Sequence, residues 1–545
     1  MSANVIELML PHVKAHPEID ALRWPAGSES PQEGQHECPL QHESISWAEL
    51  LERVERASRG LSERGFKPGD KALLFIPMSV DLYVAMFAVF RLGGVAVFVD
   101  AFARQTQLEN CAKLADPTAF FGSPEAHFLR VFLPESLGKV PIQVVSGGES
   151  AGAVGFDELE AGSSPIPPIA QVEGTTTALV SFTTGSSGMP KGANRTHAFL
   201  RAQHKALAAE LPWREGAADM PAFPIFLLHN IACGLTTVIP AVNFTQPAPT
   251  DAPMALRQLL HGKIDTASMS PALLESVAKA ALKAKTTLKI RRMITGGAPI
   301  GPQQVRVFQE AAPDCELLLL YGSTEAEPIA HITGAEMLHW LDNEQGFSSQ
   351  EGVCVGHISD QVSLALLEIH KSPIVLQTGS ALSDFHSPKG QAGEVVVAGD
   401  HVCIDYYQNP EAFHENKIRE GDRIWHRTGD VGRFDSQGRL WLVGRVHNAI
   451  SRNGELHFPV RPEQLLRKLE AVKMAAYVGL PDPVLGEKSC VAWTGDPDIG
   501  DRIEACLQEA GIPIDALFHV DTLPMDPRHN SKVNYSALRD QLLAT

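Results

Sequence analysis

The chain concentrates hydroxyls, glycines and one cation in a single segment, Ser181-Phe-Thr-Thr-Gly-Ser-Ser-Gly-Met-Pro-Lys-Gly192. Glycines let the backbone turn sharply, so that its N–H groups can approach a ligand closely. The hydroxyl side chains add further donors, and Lys191 adds a mobile positive charge. This combination predicts a loop that binds the phosphates of a nucleotide.

The same composition would also suit a flexible surface loop. However, the apolar run Thr177-Ala-Leu-Val-Ser-Phe182 leads directly into it, as a strand does when it feeds a ligand loop in an α/β sheet. A Walker loop is excluded, because that motif needs a hydroxyl residue directly after the lysine, and here Lys191 precedes Gly192. The predicted phosphate-binding residues are Thr183, Thr184, Gly185, Ser186, Ser187, Gly188 and Lys191.

Composition limits the classes of protein that the chain can represent. Its 545 residues are 44% hydrophobic and 20% charged, which predicts two or more globular domains. A net charge of −18 argues against a nucleic-acid partner and an anionic membrane surface. The cysteines form no C-x-x-C pair, so linear spacing predicts neither a zinc site nor a disulfide framework. With no signal-peptide pattern at the N-terminus, we expect a cytoplasmic protein.

Local patterns predict an α/β fold. Ser46-Trp-Ala-Glu49 is a capping box at the start of an amphipathic helix, and residues 81–90 form a helix that is apolar nearly all round. Apolar runs at 71–77 and 93–99 read as buried strands, and this alternation favours a parallel sheet covered by helices. The long apolar stretch 223–240 contains prolines and a histidine, so we expect core structure there and no transmembrane segment.

Two further motifs follow apolar strands. Gly296-Gly-Ala-Pro299 offers glycines that allow a flat purine to approach the backbone, although strand-to-helix turns also use such residues routinely. Tyr321-Gly-Ser-Thr-Glu325 follows a run of leucines. Here Tyr321 can stack on a base, Thr324 can bind a phosphate, and Glu325 offers the hard carboxylate oxygen that Mg²⁺ prefers.

Together with Trp425-His-Arg-Thr-Gly-Asp430, Gly444-Arg445 and a lysine near the C-terminus, Lys532, these motifs occur in the order typical of the adenylate-forming superfamily. The chain therefore resembles acyl-CoA synthetases, luciferases and peptide-synthetase adenylation domains. This resemblance implies a large N-terminal AMP-binding domain, with several subdomains, over residues 1–443. It also implies a small mobile α+β domain over residues 444–545, with a hinge beside His447.

The resemblance also implies roles for individual residues. Asp430 would bind the ribose hydroxyls, Arg445 would clamp ribose or the α-phosphate, and Lys532 would join Lys191 and Glu325 in catalysis, with Glu325 as the Mg²⁺ ligand. The remaining implied ATP-binding residues are Gly296, Gly297, Ala298, Pro299, Tyr321, Gly322, Ser323 and Thr324. The implied acyl pocket comprises Phe226, Leu227, Cys233, Gly234 and Met269. Many acyl-CoA synthetases carry a histidine where this chain has Leu227.

Several details resemble the branch that contains the β-lactone synthetases of long-chain olefin biosynthesis, notably Phe223-Pro-Ile-Phe226 and Asp526-Pro-Arg-His-Asn-Ser-Lys-Val533. This predicts ATP- and Mg²⁺-dependent activation of a lipophilic acid, a fatty or 3-hydroxy fatty acid, followed by ring closure. The alternatives are an acyl-CoA ligase, for which CoA would be a second substrate, and a catalytically inactive nucleotide-binding protein. The implied partners are the small carboxylic acid and other enzymes of a lipid pathway.

Overall fold

The computed structural model describes residues 2–26, 40–99, 105–183, 190–214, 216–224, 226–242, 251–343, 352–525 and 533–544. The chain divides into two compact units. Unit 1 comprises Met1–Ile329 and Gly399–Phe413, and unit 2 comprises Ala330–Ala398 and His414–Thr545. Both units combine helices with β-sheets, which confirms the predicted α/β class. The domain boundary between residues 443 and 444 stays a prediction.

Unit 1 contains most of the parallel sheet structure. Its helices are α1 (Leu10–Ala15), α2 (Trp47–Glu63), α3 (Val80–Arg91), α4 (Gln105–Ala115), α5 (Pro124–Phe128), α6 (Phe156–Glu160), α7 (His197–Glu210), α8 (Phe226–Cys233), α9 (Ala252–His261), α10 (Pro271–Lys283) and α11 (Pro302–Ala311). Its strands are β1 (Asp20–Pro25), β2 (His42–Ser46), β3 (Lys71–Phe75), β4 (Val95–Val99), β5 (Ala119–Gly122), β6 (Ile142–Val145), β7 (Val154–Gly155), β8 (Thr177–Thr183), β9 (Lys191–Thr196), β10 (Ala218–Pro221), β11 (Thr236–Val238), β12 (Thr266–Met269), β13 (Arg292–Gly296) and β14 (Glu316–Ser323). Short 3₁₀ helices cover Val5–Leu8 and Leu129–Val131.

The predicted local signals are found in unit 1. Ser46 accepts a hydrogen bond from the Glu49 backbone N–H, and the Glu49 carboxylate accepts one from the Ser46 N–H, so the capping box opens α2 as expected. Helix α3 is buried from Leu82 to Arg91 and packs in the main hydrophobic core. Burying large apolar side chains in this way stabilises the fold by about 1.5–3 kcal/mol each.

Two sheets organise unit 1. One has the strand order β7-β6-β5-β3-β4-β8-β9, in which all neighbours are parallel except the edge pair β8 and β9. In the other, β14, β13, β12, β10, β11 and β1 are neighbours in parallel, and β2 pairs antiparallel with β1. The carboxyl ends of neighbouring parallel strands lie at the same edge of a sheet, which is where ligands bind in α/β folds.

Unit 2 is mainly antiparallel. Its strands are β15 (Ala326–Thr333), β16 (Val353–Ile358), β17 (Ser363–Leu367), β18 (Gly393–Ala398), β19 (Lys417–Glu420), β20 (Arg423–Phe434), β21 (Leu440–Arg445), β22 (Ile450–Arg452), β23 (Glu455–His457), β24 (Val472–Asp482), β25 (Gly486–Gly495) and β26 (Ala516–His519). Its helices are α12 (Gly334–Asn343), α13 (Pro410–Asn416), α14 (Val460–Leu466), α15 (Gly500–Glu509) and α16 (Tyr535–Leu543), with 3₁₀ turns at Leu382–Phe385, Val446–Asn448 and Pro497–Ile499. Strand β15 and helix α13 span positions at which the two units are divided.

Strands β17, β18, β20, β21, β16 and β15 are successive neighbours, whereas β22 to β26 form a separate five-stranded sheet. The separate sheet has hydrophobic cores of its own, around Ile450 and Tyr477 on one side and around Val478 and Leu538 on the other. This arrangement is compatible with the predicted small α+β domain at the C-terminus. No helix in the described ranges combines the length and the apolar character that crossing a bilayer would need.

Candidate active site

Strands β8 and β9 flank the predicted phosphate loop. Thr183 ends β8 and pairs with Lys191, the first residue of β9. A Cβ at Gly192 would come within 2.8 Å of the Phe182 and Val180 side chains, so a larger residue at this position would force them to shift. The predicted donors Thr184, Gly185, Ser186, Ser187 and Gly188 lie outside the described residues, as does Lys532.

The two motifs of unit 1 that are predicted to bind the nucleotide base lie side by side. Gly296 ends β13 and pairs in parallel with Leu320 of β14, directly before Tyr321. A Cβ at Gly296 would lie 2.5 Å from the Leu320 carbonyl oxygen, and Gly297 has φ +78°, so both positions require glycine. Gly297 and Pro299 are exposed, whereas Ala298, Tyr321, Gly322, Ser323 and Thr324 are partly buried. The absence of a side chain at Gly296 and Gly297 is compatible with close approach of a flat base, and binding of a base here stays a prediction.

Glu325 is held by a tyrosine. The Tyr406 hydroxyl donates a hydrogen bond to Glu325 Oε1 at 3.0 Å, and the Cys403 N–H donates to the Glu325 carbonyl at 2.6 Å. The Ser323 hydroxyl oxygen accepts a bond from the Glu325 N–H at 3.2 Å. Mg²⁺ is typically bound through one or two carboxylates together with substrate phosphates. A partly buried carboxylate oriented by a neutral hydroxyl, at the edge of a nucleotide site, fits that donor set.

A buried arginine supports the same turn. Arg195 of β9 is 3% exposed, and its Nη2 donates to the Thr324 carbonyl at 2.6 Å. Burial lowers the pKa of Arg195, while the nearby acids, led by Glu327, favour its charged form. Burial in turn raises the pKa of Glu327 to about 7, against the opposing effect of Arg195. Arg195 is therefore balanced mainly by Glu327, and Glu325 contributes less to that balance.

The segment 402–409 connects β9 to the Glu325 turn, and sequence reasoning missed its role. Asn194 N–H donates to the Asp405 carbonyl at 3.2 Å, and Tyr407 N–H donates to the Gly192 carbonyl at 2.8 Å. On the other side, Val402 forms an isolated β-bridge with Ala326. These bonds bring Tyr406 to Glu325 across 81 positions of sequence, and no local pattern signals such a contact.

Unit 2 places two predicted ribose-binding groups together. Asp430 of β20 and Arg445 of β21 are cross-strand partners, and their side chains form an ion pair of 3.2 Å. The Arg445 side chain is 57% exposed, so this pair contributes little to stability. The Thr428 hydroxyl donates to the Val395 carbonyl at 2.8 Å and accepts from the Asp430 N–H at 3.0 Å, which fixes the turn before the carboxylate.

Buried ion pairs support this part of unit 2. Arg427, which lies in the motif Trp425-His-Arg-Thr-Gly-Asp430 but has no predicted role, donates to Glu394 through Nε at 3.0 Å and Nη2 at 2.6 Å. After Asp430, the hairpin turn is closed by Asp435, whose carboxylate accepts from Arg439 Nε at 2.6 Å and from Trp441 Nε1 at 2.9 Å. His447 lies just beyond β21 in a 3₁₀ turn, and its role as a hinge stays a prediction.

The predicted acyl-pocket residues lie on or near α8 and β12. Phe226 begins α8 and packs in an apolar cluster with residues of α7, β13 and β14, whereas Leu227 is fully buried in the main core. Met269 is buried at the end of β12, and Cys233 is partly buried at the end of α8. Gly234 has φ +71°, and a Cβ there would meet the His12 ring at 2.4 Å. A role for these residues in acid binding stays a prediction.

Comparison with known proteins agrees with this arrangement. The chain is 30% identical over 516 residues to a protein named olefin beta-lactone synthetase from Stenotrophomonas maltophilia, covering 91% of this chain and 90% of that relative. A protein of the same name from Xanthomonas campestris is 28% identical, with 96% and 95% covered. The solved amide bond synthetase McbA from Marinactinospora thermotolerans has the same fold, with a TM-score of 0.77, 23% identity and 99% of both chains covered.

The family described as AMP-binding enzyme matches residues 13–407, a range that contains the predicted phosphate loop, both strand-end motifs and Tyr406. Since this match covers most of the chain, the protein belongs to the family of AMP-binding enzymes, which activate carboxylates as adenylates.

Proposed function

We propose that this enzyme activates a lipophilic 3-hydroxy acid as its acyl-adenylate, releases pyrophosphate, and then closes the acid into a β-lactone. The observation that carries this proposal is the similarity, over nine-tenths or more of the chain, to two proteins named olefin beta-lactone synthetase. Adenylation follows from the family, whereas the substrate class and the ring closure are proposed.

Charge governs the first half-reaction. The substrate carboxylate is already ionised, so its attack on the α-phosphate requires no protein base but brings two anions together. Lys191 at the start of β9 and Lys532 near the C-terminus are the proposed cations that offset this repulsion. Mg²⁺ held by Glu325 would supply further positive charge to the phosphates when bound. Tyr406 and Arg195 keep the Glu325 turn in position.

The second half-reaction is intramolecular. The 3-hydroxyl oxygen forms a bond to the activated carbonyl carbon, the bond from that carbon to the phosphate oxygen breaks, and AMP leaves with the electron pair. Proximity of the hydroxyl within the same substrate makes this step favourable. The hydroxyl proton must be accepted, and histidine titrates near neutral pH. His447, and His529 outside the described residues, are the proposed acceptors.

The apolar surroundings of α8 support a lipophilic acid. Phe226 packs with Phe223, Ile294 and leucines of α7 and β14 in a buried apolar cluster, so the surroundings of this predicted pocket residue are aliphatic and aromatic. Ligand pockets for apolar molecules are lined mainly by such groups. The proposal includes a cytoplasmic location among enzymes of a lipid pathway, and the free thiols of the described cysteines support a reducing compartment.

The test is a product analysis. The enzyme is incubated with ATP, Mg²⁺ and a long-chain 3-hydroxy acid, with and without CoA, and products are identified by mass spectrometry. The matched control is the same acid without the hydroxyl. We expect the hydroxy acid to lose water without any CoA, and the control acid to stall as bound adenylate. If both acids need CoA for turnover and yield thioesters, the enzyme is an acyl-CoA ligase and the lactone proposal fails.

A further inference from the structure

Three side chains that commonly bind metals meet between α7 and α8 of unit 1. His204 comes from α7, while His229 and Cys233 lie four residues apart on α8, which places them on one helix face. One ligand atom from each residue lies within 4.8 Å of the other two. None of the predicted roles in adenylation uses these two histidines, whereas Cys233 is also one of the predicted acyl-pocket residues.

We propose that His204, His229 and Cys233 form a zinc site, with two imidazole nitrogens and one thiolate as ligands and a fourth position open to water. The donor set is borderline-soft, which suits Zn²⁺ better than the hard cation Mg²⁺. Three protein ligands with an open position are the usual arrangement of zinc sites that are not purely structural.

The distances suit a tetrahedral ion. His204 Nδ1 and His229 Nδ1 are 3.3 Å apart, and Cys233 Sγ lies 3.5 Å from His229 Nε2 and 3.9 Å from His204 Nδ1. Tetrahedral bonds to zinc of about 2.0–2.1 Å for nitrogen and about 2.3 Å for sulfur place ligand atoms about 3.3–3.6 Å apart. Zinc would take one nitrogen of His229. The 3.3 Å and 3.5 Å contacts use different nitrogens of His229, so binding an ion requires rotation of the imidazole or of the Cys233 side chain.

The surroundings also suit a bound cation. His229 is 5% exposed, while His204 and Cys233 are partly exposed, so an ion can enter from solvent. The Trp213 ring packs against both histidines, with centroid distances of 4.9 Å to His229 and 6.4 Å to His204, which restricts their orientations. Burial, and to a smaller extent the buried carboxylate of Asp219, raise the pKa of the Cys233 thiol, so the bound cation would have to stabilise the thiolate against both effects.

Without a metal, the same contacts would form a hydrogen-bond chain from His204 through His229 to Cys233. A small cavity adjoins these hydrogen-bonded side chains, and it is lined by His204, His229, Gln203 and apolar residues of α7, α8 and the 3₁₀ helix Val5–Leu8. The two explanations differ in how the protein responds to metal. A hydrogen-bond chain leaves no high-affinity site, whereas the proposed site binds zinc with a thiolate bond.

The test uses the full-length protein after removal of metals with a chelator. Zinc is added, unbound metal is removed by gel filtration, and bound zinc is measured by elemental analysis. Cobalt(II) is titrated in parallel, because a thiolate ligand gives a near-ultraviolet charge-transfer band. We expect about one equivalent of zinc per chain and the cobalt–thiolate band. Cys233→Ser should abolish the band and weaken zinc binding more than about 100-fold. Even the loss of a residue that only hydrogen-bonds to a metal ligand typically lowers metal affinity about 10–100-fold.

Two further variants keep the result decisive. Cys506→Ser is the matched control, because Cys506 is also a partly exposed free cysteine but lies in unit 2, and it should bind zinc like the wild type. His204→Gln, at a partly exposed position, repeats the test if Cys233→Ser does not fold, as judged by circular dichroism. Wild-type protein that retains no zinc would overturn the proposal. So would Cys233→Ser or His204→Gln protein that retains as much zinc as the wild type.

Discussion

Replacing Arg427 by methionine should destabilise unit 2 strongly. Arg427 is 7% exposed, and its partner Glu394 is 1% exposed. The guanidinium also donates to the carbonyls of Ser372 at 2.9 Å and His370 at 2.6 Å. Methionine fills much of the space of the arginine stem but supplies none of these donors. The substitution therefore leaves a buried carboxylate and two carbonyl groups without their charged partner.

The magnitude follows from these contacts. Breaking a buried ion pair by removing one partner costs about 3–5 kcal/mol, and each backbone carbonyl that loses its donor adds about 0.5–1 kcal/mol. We expect a loss of about 4–7 kcal/mol in the free energy of unfolding at pH 8. Burial already raises the pKa of Glu394, and losing Arg427 raises it further. The folded state then binds a proton that the unfolded state does not between pH 4.5 and the folded pKa, so stability falls as pH rises through this range.

The assay is urea unfolding followed by tryptophan fluorescence, because Trp425 lies on β20 two residues before Arg427 and Trp441 lies on the neighbouring strand β21. Lys371→Met is the control in the same unit. The Lys371 side chain is 50% exposed, and its Nζ lies 3.9 Å from Glu487 Oε2, which is long for an ion pair. Its loss should therefore cost at most about 0.5 kcal/mol. The double variant Glu394→Gln with Arg427→Met should recover part of the loss. If Arg427→Met costs no more than Lys371→Met, the pair does not support unit 2 as argued.

Four other predictions concern catalysis. Tyr406→Phe removes the donor to Glu325, so pyrophosphate exchange should slow about tenfold, as expected for a bond worth about 1.5 kcal/mol; an unchanged rate would show that the hydroxyl does not position the carboxylate. Glu325→Gln should weaken the Mg²⁺ dependence of turnover with an unchanged circular dichroism spectrum, whereas wild-type Mg²⁺ dependence would make Glu325 structural. Lys532→Ala should abolish pyrophosphate exchange while ATP binding persists, and exchange at the wild-type rate would refute its assignment. Gly429→Ala places a Cβ at φ +70° and 3.6 Å from Arg445 Nη2, so the KM for ATP should rise severalfold at unchanged fold; an unaltered KM would exclude a role for this turn in nucleotide binding.

Sequence reasoning succeeded where the signal is local. The Ser46 capping box and the apolar helix α3 each specify their own structure within a few residues. The side-by-side placement of Gly296 and Tyr321 was also accessible, because both follow apolar strands whose carboxyl ends meet in a parallel sheet.

What the sequence did not reveal depends on contacts between distant residues. Arg195 reaches Thr324 across 129 positions, and neither residue lies in a pattern that predicts the other. The cluster at Cys233 shows the same limitation. Linear cysteine spacing predicted no zinc site, and the only local hint is the four-residue spacing of His229 and Cys233 on a helix. The third residue, His204, lies on α7, and it comes near the other two because α7 packs against α8.

The hairpin of β20 and β21 fixes the number of residues between Asp430 and Arg445. Pairing places these two residues opposite each other, and a bulge at Val431 and Gly432 is already part of that count. Adding or deleting one residue would shift the register by one, and side chains alternate faces along a strand. The Arg445 guanidinium would then point away from Asp430. The buried ion pair of Asp435 and Arg439 fixes the conformation of the turn, so the turn cannot easily accommodate an added or deleted residue. Substitutions in this hairpin should therefore be tolerated far better than changes in its length.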